Sequence, residues 1–216
     1  MGEEKMLLTP SMVDQACETL ARQGWLLVAD PALPSLATLV AGEPIRGSWW
    51  GHPAGKAIYA LSDALQRRPD VMVVKLVAGK LTYIHARLWP ALLGVAMAGE
   101  PWQVQKLSAE AKWLQLRMAD KGRIRLDQML HADWAARDLA RAAKLLESRL
   151  LIYSEDIETE RGAQTRALEP WQHWRERTGY DTPPLAPQEG RQALIEAVAP
   201  LIPGGKAARL MPWPAS

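Results

Sequence analysis

The residues best suited to chemistry in this chain are cations gathered on one stretch. Lys56, Arg67, Arg68, Lys75, Lys80, His85 and Arg87 stand there against Asp63 and Asp70, and clustered ammonium and guanidinium groups hold phosphate. Lys80 follows Gly79 at the tip of a predicted hairpin, where a backbone phosphate is in reach. Lys56 lies one turn into the helix before it, within reach of base edges or backbone. Trp50 and His52, just upstream, add rings to the same surface. The alternative is a solvated positive face with no ligand.

The second half of the chain concentrates cations as well. Arg137, Arg141, Lys144 and Arg149 fall along one predicted helix, whereas Glu155, Asp156, Glu158 and Glu160 crowd the hairpin after it. Phosphate repels those carboxylates, so only the helix can touch a polyanion there. Asp156, Glu158 and Glu160 alternate onto one strand face, which suits Mg²⁺ in principle, but no further ligand is identifiable and a solvated face is the simpler reading. Asp127 and His131, four apart, share one face of a short predicted helix without the second histidine a metal site needs. No metal and no cofactor is expected. Cys17 falls on the apolar face of its helix beside no histidine, which makes it core rather than nucleophile. Pro203-Gly204-Gly205-Lys206 lacks the upstream strand and the following Ser or Thr of a phosphate loop, and reads as a turn.

Particular elements must carry these side chains. Residues 52–68 predict a helix closed by Pro69-Asp70. Residues 71–77 and 81–85 predict two strands joined through Ala78-Gly79-Lys80, with Val71, Val73, Lys75 and Val77 on one face and Met72, Val74 and Leu76 on the other. Upstream, Ser11 caps a helix that Gly24 ends, residues 25–28 lead into the turn Asp30-Pro31, and residues 35–40 form a short helix stopped by Gly42. Three helices followed by two strands is the order of a winged helix-turn-helix. After an apolar helix over 87–97 and the linker Gly99-Glu100-Pro101, the order returns. Ser108 caps a helix running to Lys121, residues 123–126 suggest a strand and 127–132 a short helix, Asp133 caps a helix over 134–148, and strands cover 150–160 and 164–168. The hairpins run out at Leu88-Trp89-Pro90 and Glu169-Pro170-Trp171, about 80 residues apart, which is a domain length rather than a solenoid period. A proline-rich connector over 180–187, an amphipathic helix over 188–198 and a tail docked by Trp213 complete the chain.

Bulk properties bound what such elements can do. With 216 residues, 48% of them hydrophobic, the chain can bury one sizeable core or two small ones. The net charge of +2 and pI of 8.7 make any electrostatic grip local. A single cysteine excludes a disulfide framework and Cys-rich zinc modules and fits a reducing cytoplasm. No run approaches the roughly 18 apolar residues of a membrane span, and residues 1–10 have no signal-like core. A cytoplasmic chain without membrane contact is expected. Ten Trp and no Phe load the large packing work onto indoles. Adjacent Trp49 and Trp50 cannot both enter one core, so one is expected outside.

The block from Gly47-Ser48-Trp49-Trp50-Gly51-His52-Pro53 to Arg87-Leu88-Trp89-Pro90, with the tandem order around it, resembles the bacterial winged-helix DNA glycosylases of the AlkZ or YcaQ type. The likeness covers half the chain. It implies several stacked winged helices and a Gln-x-Gln or Gln-x-Asp motif placing the water that attacks the sugar of a damaged nucleotide. Gln103-Val104-Gln105 matches those letters, in a Trp-flanked linker rather than near the chain start. Gln103 and Gln105 are thus the catalytic candidates the resemblance implies, against a chance match of two glutamines.

The expected fold is α+β, mainly helical, with winged-helix domains at 1–99 and 100–178 and a connector, helix and tail at 179–216. The expected function is non-catalytic binding of double-stranded DNA, in regulation or genome maintenance. Its contacts are Trp50, His52, Lys56, Arg67, Lys75, Lys80, His85 and Arg87, joined by Arg137, Arg141 and Lys144. One alternative is a protein-interaction module anchored by Trp49 or Trp50, with the acidic second hairpin selecting a basic partner. The other is lesion repair of the glycosylase kind.

Overall fold

The computed structural model describes residues 6–202 and 206–214. The turn expected at residues 203–205 lies outside the described residues. The chain is α+β and mainly helical, with two three-stranded antiparallel sheets. Among the described residues no helix is long and apolar enough to cross a membrane. Two compact units divide it, one built from the chain through Trp89 together with residues 192–211, the other from Pro90–Arg191 together with the residues from Pro212 onward.

In the first unit, α1 (Pro10–Gln23) is capped by Thr9, whose Oγ1 accepts from Met12 N at 3.3 Å. The sequence pointed to Ser11. Pro10 moves the start, because proline lacks the N–H and fits the first helical position, leaving Thr9 as the last extended residue. Gly24, left-handed at φ 87°, closes the helix by donating to Leu20 O. The chain enters β1 (Trp25–Leu27), a strand the sequence left unassigned. Ser35, expected as the first helical residue, instead caps α2 (Leu36–Ala41) through a bond from Thr38 N to Oγ. Next, α3 (Gly55–Gln66) begins later than expected: Trp49–Gly51 forms a separate 3-10 turn and His52 stays extended, its Nδ1 accepting from Ala54 N at 3.2 Å.

The hairpin of β2 (Val71–Lys75) and β3 (Leu81–His85) completes a sheet of order β1-β3-β2, with Leu26, Tyr83 and Val73 in register. These three pack with α1, α2 and α3 in one core, where the Tyr83 and Ser62 hydroxyls meet at 2.5 Å. The opposite face carries Trp25, Ile84 and Met72, also in register and also buried. There Trp25 Nε1 donates to Ala197 O at 3.0 Å, and Trp89 Nε1 to Ile84 O at 3.1 Å. Residues 192–211 belong to this unit because the sheet has a second apolar face to cover. The first strand stops at Lys75, not Val77; Val77–Gly79 is a 3-10 turn with Ala78 and Gly79 at positive φ, and it lies against Ala207–Leu210.

The helix α4 (Trp89–Ala96) and the short α5 (Pro101–Val104) precede α6 (Ala109–Lys121), whose cap is Ser108 as expected, with Oγ accepting from Ala111 N. Then come β4 (Ile124–Arg125), α7 (Ala136–Ser148), and the hairpin of β5 (Tyr153–Glu158) and β6 (Gln164–Glu169), in a sheet of order β4-β6-β5. Its core is Leu114, Met118, Ile124, Leu139, Leu146 and Leu168 with their neighbours. Residues 127–132 do not form the expected helix. Only the 3-10 turn Leu126–Gln128 is present. Asp133 does not cap α7; instead Asp138 Oδ2 accepts from Ala135 N at 3.2 Å. Leu150, left-handed at φ 53°, follows α7 and delays β5 to Tyr153.

Both hairpins deliver into a tryptophan that opens the following helix, Trp89 of α4 and Trp171 of α8 (Trp171–Thr178). Trp171 Nε1 donates to Leu150 O at 2.7 Å, so each indole is anchored as well as buried. The residues expected as one C-terminal extension are divided. The connector packs on the second unit, with Leu185 N donating to Pro90 O at 2.9 Å, before α9 (Pro187–Val198). Trp213 docks as expected: it is buried, its ring 6.4 Å from that of Trp102 and 5.8 Å from the Arg191 guanidinium carbon.

Candidate nucleic-acid interface

The inner face of α3 carries Ala57, Ile58, Leu61 and Leu65 into the core, and helical periodicity then turns Lys56, Tyr59 and Arg67 outward. Gly55 sets what stands beside them. A β-carbon there would lie 2.8 Å from Trp49 O and 3.1 Å from Trp50 O, so only glycine lets the 3-10 turn close onto the helix start. The turn places Trp49 half-buried against the core and leaves Trp50 66% exposed. Their rings stack at 4.0 Å, and Trp50 lies 5.8 Å from Tyr59, itself 54% exposed. Lys56 makes no ion pair among the described residues. The result is an aromatic ledge bordered by a cation. Tyr59 was missed in the sequence, although its place three residues after Lys56, off the Ile58–Leu61–Leu65 stripe, was the signal for it.

Other expected contacts of this unit are engaged elsewhere. Lys80 Nζ donates to Asp30 Oδ2 at 2.5 Å, and Asp30 Oδ1 also accepts from Ala32 N and Leu33 N. Burial opposes ionisation of Asp30, yet the Lys80 ammonium and the two amides together hold its carboxyl below the usual range. Arg67 pairs with Asp63 one turn back at 2.8 Å, an exposed pair that a phosphate can replace at little cost. His85 Nδ1 accepts from Arg87 N and its Nε2 lies 3.8 Å from Asp70, which Arg68 holds with two hydrogen bonds. The Arg68 guanidinium keeps the Asp70 carboxyl below its ordinary range. His52 serves the local turn, and Arg87 Nη2 donates to Arg22 O at 3.1 Å, away from the ledge elements. Lys75, at the end of β2, is half-buried.

In the second unit Arg137, Arg141 and Lys144 stand exposed along α7, with Arg141 3.4 Å from Asp138. The hairpin carboxylates face arginines of their own sheet. Glu155 meets Arg123, Asp156 lies 3.5 Å from Arg166, and Glu160, beyond the end of β5, meets Arg125 at 2.5 Å. Asp156, Glu158 and Glu160 therefore do not converge, and among the described residues no group of three His, Cys, Asp or Glu could hold a metal ion. His131 stacks on Trp134 at 3.8 Å rather than sharing a helix face with Asp127. Burial pushes the Cys17 thiol up, in keeping with its packing against the first core.

Comparison with known proteins finds no matching family model, curated protein or solved structure.

The glutamine pair is not laid out for chemistry. Gln103 is fully buried; its Nε2 donates to Ala96 O and Arg149 O, both at 3.2 Å, and its Oε1 accepts from Glu100 N at 2.9 Å. Both amide protons are thereby spent on backbone carbonyls, and the side chain splices α4, α5 and the end of α7. Gln105 is exposed, with its carbonyl held by Arg149.

Proposed function

We propose that the protein binds double-stranded DNA through two winged helix-turn-helix domains, without catalysis, in regulation or genome maintenance. The observation that carries this reading is the shared strand order. In each sheet a short first strand pairs with the last strand of the hairpin, and a helix with an outward cationic face, α3 or α7, directly precedes that hairpin. A helix so placed is the element that enters a groove in helix-turn-helix proteins. Its contacts are Lys56 and Arg67 to phosphate or base edges, with the Trp50 and Tyr59 rings against sugar and base. On α7, Arg137, Arg141 and Lys144 supply backbone contacts. The hairpin tip contributes less than α3, since Lys80 is held by Asp30 and the turn rests on Ala207–Leu210.

A second reading is favoured by exposed apolar side chains. Trp50 is 66% exposed, and in the second unit Leu116 and Leu130 are 70% and 87% exposed. Side chains of this size are common anchors of protein interfaces. A binding scan at low salt separates the two readings. Duplex binding stronger than single-strand binding, falling steeply with added salt, supports the DNA reading. Binding to neither nucleic acid overturns it and leaves the interaction module.

A further inference from the structure

The first unit contains a cavity away from α3. Its walls are the end of α1, the Arg87-Leu88 turn after β3 and residues 193–201, and its volume is about 490 Å³. Pockets of this size hold small molecules. Four polar residues line it: Arg22, Gln23, Arg87 and Glu196. Arg87 is already fixed in place, because its guanidinium crosses Gly24, where a β-carbon would lie 2.7 Å from Nη2, and it bonds Arg22 O. Gln23 Oε1 is buried and accepts no hydrogen bond among the described residues. Glu196 Oε1 accepts from Gln192 at 2.7 Å, while its second oxygen has no hydrogen bond among the described residues. Leu88, Ala197 and Leu201 supply the apolar lining.

Gln23 Oε1 has no surface for a ligand to touch, so the charges of Arg22, Arg87 and Glu196 decide the chemistry that suits the site. A simple anion would meet the two guanidiniums but face Glu196. A simple cation would meet Glu196 but face two arginines. A zwitterion satisfies both sets. We propose that this cavity binds a free α-amino acid with an apolar side chain. Its carboxylate lies on Arg22 and Arg87, its ammonium donates to Glu196, and its side chain rests on Leu88, Ala197 and Leu201. A bound amino acid would tie residues 193–201 to the end of α1 and so raise the stability of the unit by mass action.

The test is calorimetric titration and thermal unfolding of the full chain with each apolar L-amino acid alone. Two half-ligands serve as controls, 4-methylpentanoate without the ammonium and isoamylamine without the carboxylate. The expected result is saturable binding and a raised Tm for at least one amino acid, with both half-ligands at least about tenfold weaker. Glu196→Gln, at an exposed position that leaves the fold intact, is expected to weaken that amino acid by about tenfold. No saturable binding at concentrations on the order of 10 mM, above the usual millimolar limit of weak sites, overturns the proposal. So does equal binding by a half-ligand, or an affinity unmoved by Glu196→Gln. DNA binding plays no part in these outcomes.

Discussion

Lys80 at the tip of the first hairpin donates to Asp30, 50 residues earlier, at 2.5 Å. The Asp30 side chain is only 8% exposed and also gathers the Ala32 and Leu33 amides, so one carboxylate fixes both the loop after β1 and the hairpin turn. Asp30→Asn is expected to cost about 1–3 kcal/mol near neutral pH, the usual range for losing hydrogen bonds to a charged group. Because the folded carboxyl titrates below its unfolded value, its contribution is present above the unfolded pKa and lost as pH falls through the folded one. Urea unfolding of both proteins from neutral pH down to about pH 2.5 should show the two stabilities converging in acid. A constant gap would contradict the assignment.

Gln103→Leu is expected to destabilise the second unit by about 2–4 kcal/mol, since Glu100 N and two carbonyls lose buried partners. Denaturant titration measures this. The folded fraction should bind DNA as the wild type does and release no damaged base from alkylated DNA. Base release that disappears in the variant would restore Gln103 as a catalytic residue.

Glu169, 1% exposed, accepts from Arg177 Nη2 at 2.5 Å and lies 2.7 Å from His173 Nδ1. Arg177 and His173 are each 34% exposed and regain water when released, so Glu169→Ala should cost about 1–3 kcal/mol, the range for lost hydrogen bonds to a charged group. Thermal unfolding provides the check, and a loss within the range of surface substitutions, about 0.5 kcal/mol, would show the cluster to be solvated.

Gly55→Ala tests how the ledge is held. Alanine is the better helix former by about 1 kcal/mol, but its β-carbon would meet Trp49 O at 2.8 Å, and backbone cannot give way as a side-chain end can. Net destabilisation of about 1–3 kcal/mol is expected, with a change in tryptophan fluorescence as Trp49 and Trp50 shift. A more stable variant with unchanged fluorescence would contradict the packing described.

Local chemistry was readable in the sequence; distant pairing was not. Gly24, Gly42, the Ser108 cap and the alternating strands expected over 71–77 and 81–85 each follow from neighbours a few residues away, and all are found, the first strand ending two residues early at Lys75. The strand Trp25–Leu27 escaped because three apolar residues have no period to recognise, and its identity rests on pairing with β3. The helix expected over 127–132 gives way to a loop in which His131 stacks on Trp134 and meets Trp113 edge to face. The ties from Lys80 to Asp30 and from Trp25 to Ala197 span too much chain for any spacing rule. They changed the weight of the site: the hairpin tip lost ground to α3, where Tyr59 joins Trp50 and Lys56.

The most direct test is the duplex affinity of Lys56→Glu and of the Trp50→Ala/Tyr59→Ala pair, by fluorescence anisotropy across a salt series. All these side chains are exposed or half-exposed, so folding should be retained. The account predicts that the wild type binds at low salt, that Lys56→Glu weakens binding by about tenfold and lowers the salt slope by about one, and that the aromatic pair weakens it with the slope unchanged. Affinities equal to wild type in both variants would contradict the assignment of α3 as the DNA-contacting helix.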